Sequence, residues 1–417
     1  MSHHALAAMN QQPMHITLLN TWRDVRAIRH LWEDLLAQSA VSSPFLTYDW
    51  CDAWWTAFGN SRDPFVLCFF GPQDQLVGIA PLYRTSRPDH TKTRLPLRML
   101  RFLGTGTGGV STSLGFVMRR GYEDLGARHL LQWLSRARSE WDVLDLHLMP
   151  SQWLPTMALS EEITRSRWFH VRRAETRLSI RLPDTYEDYL KSLSRTMRTQ
   201  LPRQRRRLLR HFGVTIRQNH EEGELRHTLD ALFQINTQRW QERGQRGSFA
   251  TDEHRVFAQE MTRRFLSRGF LDFWSIELDG RVAAVECGLR YKDVYYALWA
   301  GLDTHFNSFS SGSVLKSHII QQLIRDGIRV YDFLQGDEPY KMHWGPERLA
   351  YTNLLCAAPR SVGAMYLRTS AWNSAAKLRV TSIPRELKEG LRSVLPATMW
   401  NALRTAHSAF RLGRGAA

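Results

Sequence analysis

Apolar residues recur at helical spacing over residues 22–39, and a second helical pattern follows Pro44 over 48–58. Residues 64–70 form a short apolar run that predicts a strand, 71–75 a turn, and 76–83 its hairpin partner. Residues 98–103 and 114–118 predict two more strands, 122–138 a helix, and 141–148 a further strand.

From 151 to 190 the pattern is mixed. It predicts a strand over 178–182 and a helix over 185–193, with Asp184 or Thr185 as the cap. A basic helix follows, which Pro202 is expected to break. Helices are then predicted over 225–243 and 252–268, and strands over 271–278, 282–291 and 294–300, with Asp279-Gly280 as a hairpin turn. A helix over 313–326, ended by Gly327, leads to a strand over 329–334. Both halves therefore read helix, helix, antiparallel strands, helix, strand, an architectural repeat of α/β type.

A chain of 417 residues exceeds the size at which one core stops growing. The expected division is an N-terminal domain over 14–150, a connecting strand and basic helix over 151–220, a second domain over 221–358, and a basic amphipathic extension over 359–417. Two short helices interrupted by Pro384 and Pro396 are expected in that extension, lying on an anionic membrane face or packed on the second domain. The net charge of +16 calls for an anionic partner. Cys51, Cys68, Cys287 and Cys356 form no CxxC pair and read as reduced, buried thiols of a cytoplasmic protein. The first residues lack the charged and apolar regions of a secretory signal, and no apolar stretch is long enough to span a bilayer. The scattered histidines give no metal-ligand spacing, so no metal is expected. No G-x-S-x-G elbow points to a serine hydrolase.

The segment with most chemical content is 295–344. There a strand feeds Asn307-Ser308-Phe309-Ser310-Ser311-Gly312, and a helix opens at Ser313. Small side chains before a helix start suit either a pyrophosphate on exposed N–H groups or a plain cap and turn. Glu286 stands alone in the apolar run AAVECGL. A carboxylate there either works on a substrate or is held in a structural ion pair. Asp332 sits similarly on the last strand. Asp337, Glu338, Tyr340, Lys341 and Trp344 follow at that strand's C-terminal end, the usual place for ligand contact in α/β folds, or form a solvated loop with surface ion pairs. The run from Lys191 to Arg210, including Arg198, carries no acid and suits phosphate, an anionic glycan or a solvated face. It has no stacking aromatics, so nucleic acid is not the expected partner. The glycine run 104–109 lacks dinucleotide spacing and reads as a loop.

Tyr331-Asp332-Phe333-Leu334, Gly336-Asp337-Glu338-Pro339-Tyr340-Lys341 and Trp344 resemble the signature of CelD/BcsL-type proteins of the GNAT superfamily, found in cellulose and exopolysaccharide loci and related to the FemAB aminoacyl transferases. Phe45-Leu46 with Trp50 and Trp54, Pro81-Leu82, Arg206-Arg207-Leu208 and Trp240 are similar too, so the resemblance covers roughly 20–357. It implies two tandem GNAT-like domains with a helical C-terminal extension, and acyl transfer from acyl-CoA, acetyl-CoA first, to an amine or hydroxyl of a cell-surface precursor. Asn307, Ser310, Ser311, Gly312 and Ser313 would bind the donor. Glu286, Asp332 and Lys341 would carry the chemistry. Asp337, Glu338, Tyr340, Trp344 and Arg198 would meet the substrate. A glycan or amine acceptor, a polysaccharide synthase and the inner membrane face are the implied partners. Aminoacyl-tRNA as donor and a non-catalytic scaffold are the alternatives. The segment 109–114 departs from relatives, which carry an Asp there.

Overall fold

The computed structural model describes residues 14–86, 97–107, 111–219, 221–242, 244, 247–336 and 338–370. The first half opens with β1 (His15–Leu19), then α1 (Trp22–Ala27), α2 (Arg29–Gln38) and α3 (Tyr48–Phe58). The helix expected over 22–39 is broken at Ile28, whose φ of −94° and ψ of 12° leave helical values. The break lets two indoles point inward: Trp22 Nε1 donates to Asp52 Oδ1 at 2.5 Å and Trp32 Nε1 to the Leu46 carbonyl at 2.8 Å. Next come β2 (Asp63–Phe70), β3 (Leu76–Thr85), β4 (Met99–Phe102), the two-residue β5 (Val117–Met118), α4 (Glu123–Arg136) and β6 (Val143–Pro150).

The connecting region holds more structure than its pattern predicts: α5 (Leu154–Arg165), β7 (Phe169–Arg181), α6 (Tyr186–Ser192) and α7 (Arg195–His211). Only Leu178 and Ile180 of β7 are both apolar and buried, so the earlier part of the strand left a weak hydrophobic trace. Thr185 caps α6 by accepting from the Asp188 amide at 3.1 Å. Pro202 does not break the basic helix. The chain leaves helical geometry earlier, at Leu193 (ψ 158°), and Ser194 restarts it by accepting from the Met197 amide. Pro202 is exposed within α7, where its ring meets no packed neighbour that would force the helix apart. Met197, Leu201 and Leu208 bury the opposite side of the helix and hold it in place.

The second half repeats the first: β8 (Val214–Asn219), α8 (Glu222–Glu242), α9 (Asp252–Ser267), β9 (Leu271–Leu278), β10 (Arg281–Tyr291), β11 (Val294–Leu302), α10 (Ser311–Arg325), β12 (Val330–Asp332) and β13 (Glu347–Ala357). Asp279 and Gly280, at φ 49° and 79°, make the expected hairpin turn between β9 and β10. Residues 362–370 are helical, and the two helices expected around Pro384 and Pro396 lie outside the described residues.

The strands form one mixed sheet in the order β1-β2-β3-β4-β6-β13-β7-β12-β11-β10-β9-β8, with β5 on β3. Each half contains one parallel pair, β4 with β6 and β11 with β12. A parallel pair needs a long crossover, and α4 and α10 supply it. The halves then exchange their last strands. β7, from the first half, pairs with β12, and β13, from the second, pairs with β6. β7 and β13 also pair with each other from Glu347↔Ser179 to Ala357↔Phe169. Helices α3 and α9 clamp the halves on one face. Trp50, fully buried, packs edge-on against Phe45 and Phe257, and Arg264 and Arg268 of the second half reach Asp52 and Asp49 of the first. A second core gathers α6, α7 and α10 against β7, β9 and β12.

Candidate functional site

The site forms where β11 and β12 part. They are in register only at Val294↔Val330, Tyr295↔Tyr331 and Tyr296↔Asp332, whereas β11 stays paired with β10 as far as Leu302. The register between β10 and β11 shifts at Cys287/Gly288, leaving Leu298 as an extra residue. Such a bulge bends its strand and increases the local twist. Gly288 is required there, because a Cβ would stand 2.2 Å from the Tyr295 ring. β12 ends as Leu334 (φ 57°) and Gly336 (φ 94°) turn the chain away. Past Tyr296, the β11 backbone groups that point away from β10 have no partner in β12, and the two strands part in a wedge.

The wedge leads to α10. A 3-10 turn over Thr304–Phe309 precedes it, Ser310 sits in the left-handed region at φ 57°, and no side chain caps the helix. The helix opens at Ser311, two residues earlier than expected. The Ser313 amide already donates to the Ser310 carbonyl at 3.0 Å, so the first two amides, of Ser311 and Gly312, are those without an intrahelical acceptor. Ser311 is buried with its hydroxyl toward the Ala283 carbonyl, and Asn307 lies exposed in the turn, its carbonyl accepting from the Ser310 amide. A Cβ on Gly312 would meet only Leu302, at 3.5 Å.

Glu286 lies beneath this helix. Its Oε2 is 2.6 Å from Lys316 Nζ, and its Oε1 accepts from Tyr331 OH at 2.7 Å and Tyr295 OH at 3.2 Å. Lys316, on the second turn of α10, also stands 4.7 Å from the Tyr331 ring centre. The arrangement is a closed, buried ion pair that ties α10 to β10. Lys316 escaped the sequence reading, yet the signal was present: with Ile319, Ile320 and Leu323 it falls at i, i+3, i+4 and i+7 on the core face of the helix.

Asp332 is on the opposite face of β12, at the mouth of the wedge, and is 4% exposed. Burial pushes its carboxyl up to about 6, against the pull of the Leu334 amide, Arg177 and Lys341. Its Oδ1 accepts from that amide at 2.7 Å. Tyr351 of β13, raised to about 12 by burial and by Asp332, donates to or accepts from Ser113 of the first half at 2.8 Å. Asp332 thus faces the junction of the two halves.

Lys341 is turned inward. Its ammonium reaches the carbonyls of Phe333, Gln335 and Gly336 and the Glu338 carboxylate at 2.8 Å, and burial lowers its affinity for the proton. It staples the loop after β12. Trp344 is 3% exposed in the second core, its carbonyl accepting from Tyr189 OH. Tyr340 is half exposed beside it, Glu338 is on the surface, and Arg198 is exposed on α7 with one N–H on the Leu193 carbonyl. Asp337 lies outside the described residues. The structure brings Asp332 and Lys341 to the β12 end and Glu286 under α10, and it leaves Arg198 on a separate surface.

In the first half the matching place is filled by the chain itself. Leu114 N–H donates to the Leu148 carbonyl, and Trp50 Nε1 to the Ser111 hydroxyl at 3.1 Å. Of the departing segment 109–114, the described residues Ser111 and Leu114 make these bonds, and Gly109 and Val110 lie outside the described residues.

Residues 195–342 match the acetyltransferase (GNAT) domain family. No curated protein matches the chain. Among solved structures it is similar to FemX, with a TM-score of 0.56 at 10% identity over 78% of this chain and 95% of that one. A conserved protein of unknown function from Bacteroides thetaiotaomicron VPI-5482 is similar at a TM-score of 0.54 and 10% identity, over 82% of this chain and all of that one. The repeated mixed sheet and the domain match over residues 195–342 agree on a GNAT-like α/β fold, in which β11 and β12 pair only as far as Tyr296↔Asp332.

Proposed function

We propose that the protein is an acyltransferase that moves an acyl group from acyl-CoA, acetyl-CoA first, to an amine or hydroxyl of a cell-surface or exopolysaccharide precursor, in the cytoplasm at the inner membrane face. The observation that carries this reading is the parting of β11 from β12 toward an uncapped helix start. The amides of Ser311 and Gly312 and the positive end of α10 suit a pyrophosphate. The unpaired edge of β11 suits an extended amide-bearing chain, which would lie in the wedge as a further strand does. The acceptor class rests on the CelD/BcsL-like motif from Tyr331 to Trp344.

The acceptor nitrogen or oxygen attacks the thioester carbonyl, and its proton passes to Asp332. A carboxyl that titrates near pH 6 suits that task at neutral pH. N–H groups of β11 beyond the bulge face the developing oxyanion. The C–S bond breaks, and the proton leaves on the thiol. Glu286 and Lys316 act as positioning residues that hold α10 at its angle, and Lys341 holds the loop that carries Asp332.

A second donor, aminoacyl-tRNA as used by FemAB proteins, draws support from the fold shared with FemX. Calorimetric titration separates the readings. Acetyl-CoA, malonyl-CoA or a longer ester is expected to bind near micromolar, to Gly312→Ala as to the native chain, and not to Gly312→Phe. Affinity for charged tRNA alone supports the second donor, and affinity for neither supports a scaffold.

A further inference from the structure

The proposed reaction leaves most of α7 without a task. The helix carries seven arginines and no acid, and among the described residues none of the seven makes an ion pair. Such a concentration of exposed, uncompensated charge raises the local potential and attracts anions. The effect is felt nearby: His318 of α10 is held below its ordinary value by burial, then by Arg205 and Arg325.

Two adjoining concavities lie along this helix. One, of about 230 Å³, is lined by Arg203, Arg206, Arg207, Arg210 and His211. The other, of about 350 Å³, runs between α7 and α10 over an apolar floor of Leu190, Leu201, Pro202, Leu209, Ile216 and Val314. Arg205 and Arg206 also line the second one, so Arg206 borders both. Leu209 is 56% exposed between arginines. A purely ionic partner has no use for the apolar floor, and a purely apolar one has none for the arginines. Nucleic acid fits less well, because α7 carries no Phe, Tyr or Trp on which a base could stack.

We infer that α7 docks on an anionic phospholipid of a bilayer, the phosphate resting among Arg203, Arg206, Arg207 and Arg210 and an acyl chain entering the groove over Leu209. Basic residues near an anionic leaflet contribute about 1 kcal/mol each, about fivefold in partitioning. Burial of the Leu209 side chain adds to that. The inference does not rest on the donor assigned above. It brings the turn before α10 to the membrane surface, because Arg207 bonds to Ser308 and stacks over Phe309 at 4.9 Å.

The test is co-sedimentation of the full chain with phosphatidylcholine vesicles, with and without 30 mol% phosphatidylglycerol. Binding is expected only to the anionic vesicles and is expected to weaken as salt rises. Arg206→Gln with Arg210→Gln should lower partitioning on the order of 30-fold. Arg206→Lys with Arg210→Lys should retain it, and Leu209→Asp should lower it several-fold with an unchanged melting curve. Equal binding to neutral vesicles overturns the inference. So does wild-type partitioning of both the double Gln variant and Leu209→Asp, which would assign membrane contact to another part of the chain. Loss in the Gln variant alone overturns the groove half. Tight binding of an RNA hairpin with none to vesicles overturns the whole.

Discussion

Replacing Asp332 by Asn should stabilise the protein at neutral pH while removing its activity. The carboxyl is 4% exposed and raised from 3.8 to about 6, chiefly by burial. A folded state that binds the proton more tightly than the unfolded state is most stable below the unfolded value. It loses that advantage as pH rises through the folded value, so the window here is pH 3.8 to 6. A rise of that size corresponds to about 3 kcal/mol. Asn keeps the acceptor for the Leu334 amide, which Oδ1 now serves at 2.7 Å, and removes only the buried charge. Urea unfolding of both proteins at pH 4 and pH 7.5 gives the difference directly, since every other titrating group is common to both. The expected gain is near zero at pH 4 and up to about 3 kcal/mol at pH 7.5. Acyl transfer at pH 7.5 should fall at least 100-fold, the scale of a lost general base. Equal gains at the two pH values would refute the electrostatic reasoning, and undiminished turnover would refute the role of Asp332 as base.

Three further outcomes follow from the packing. Lys316→Met alone leaves Glu286 charged, buried and unpaired, and should cost about 3–5 kcal/mol in urea unfolding, whereas Lys316→Met with Glu286→Gln should recover much of it. Trp50→Ala empties a site walled by Phe45, Phe257 and Phe265 and should cost about 3–5 kcal/mol by the same assay. Pro202→Ala restores a helical hydrogen bond in α7 and should raise stability by about 1–3 kcal/mol, read as a higher melting temperature.

The local signals of this chain were strong where one face of an element is apolar and its ends are marked. Helix α3 between Thr47 and Gly59, the Asp279-Gly280 turn and the strand 271–278 were legible because side-chain period and turn chemistry are properties of neighbouring residues. So was the α/β character of both halves, through the alternation of helical and strand patterns. Strand exchange was not legible. β7 meets β13 across some 180 residues, its first two-thirds are mixed in polarity and partly exposed, and nothing in a window of ten residues encodes such a partner. The same holds for the site. The sequence named Glu286, Asp332, Lys341 and Trp344 but could not rank them, because their roles depend on what folding sets beside them. Lys316 and two tyrosines enclose the first, burial raises the second, carbonyls surround the third, and the core absorbs the fourth. Residue type was written in the chain, and environment, which decides the free energy of a charge, was made only by the fold.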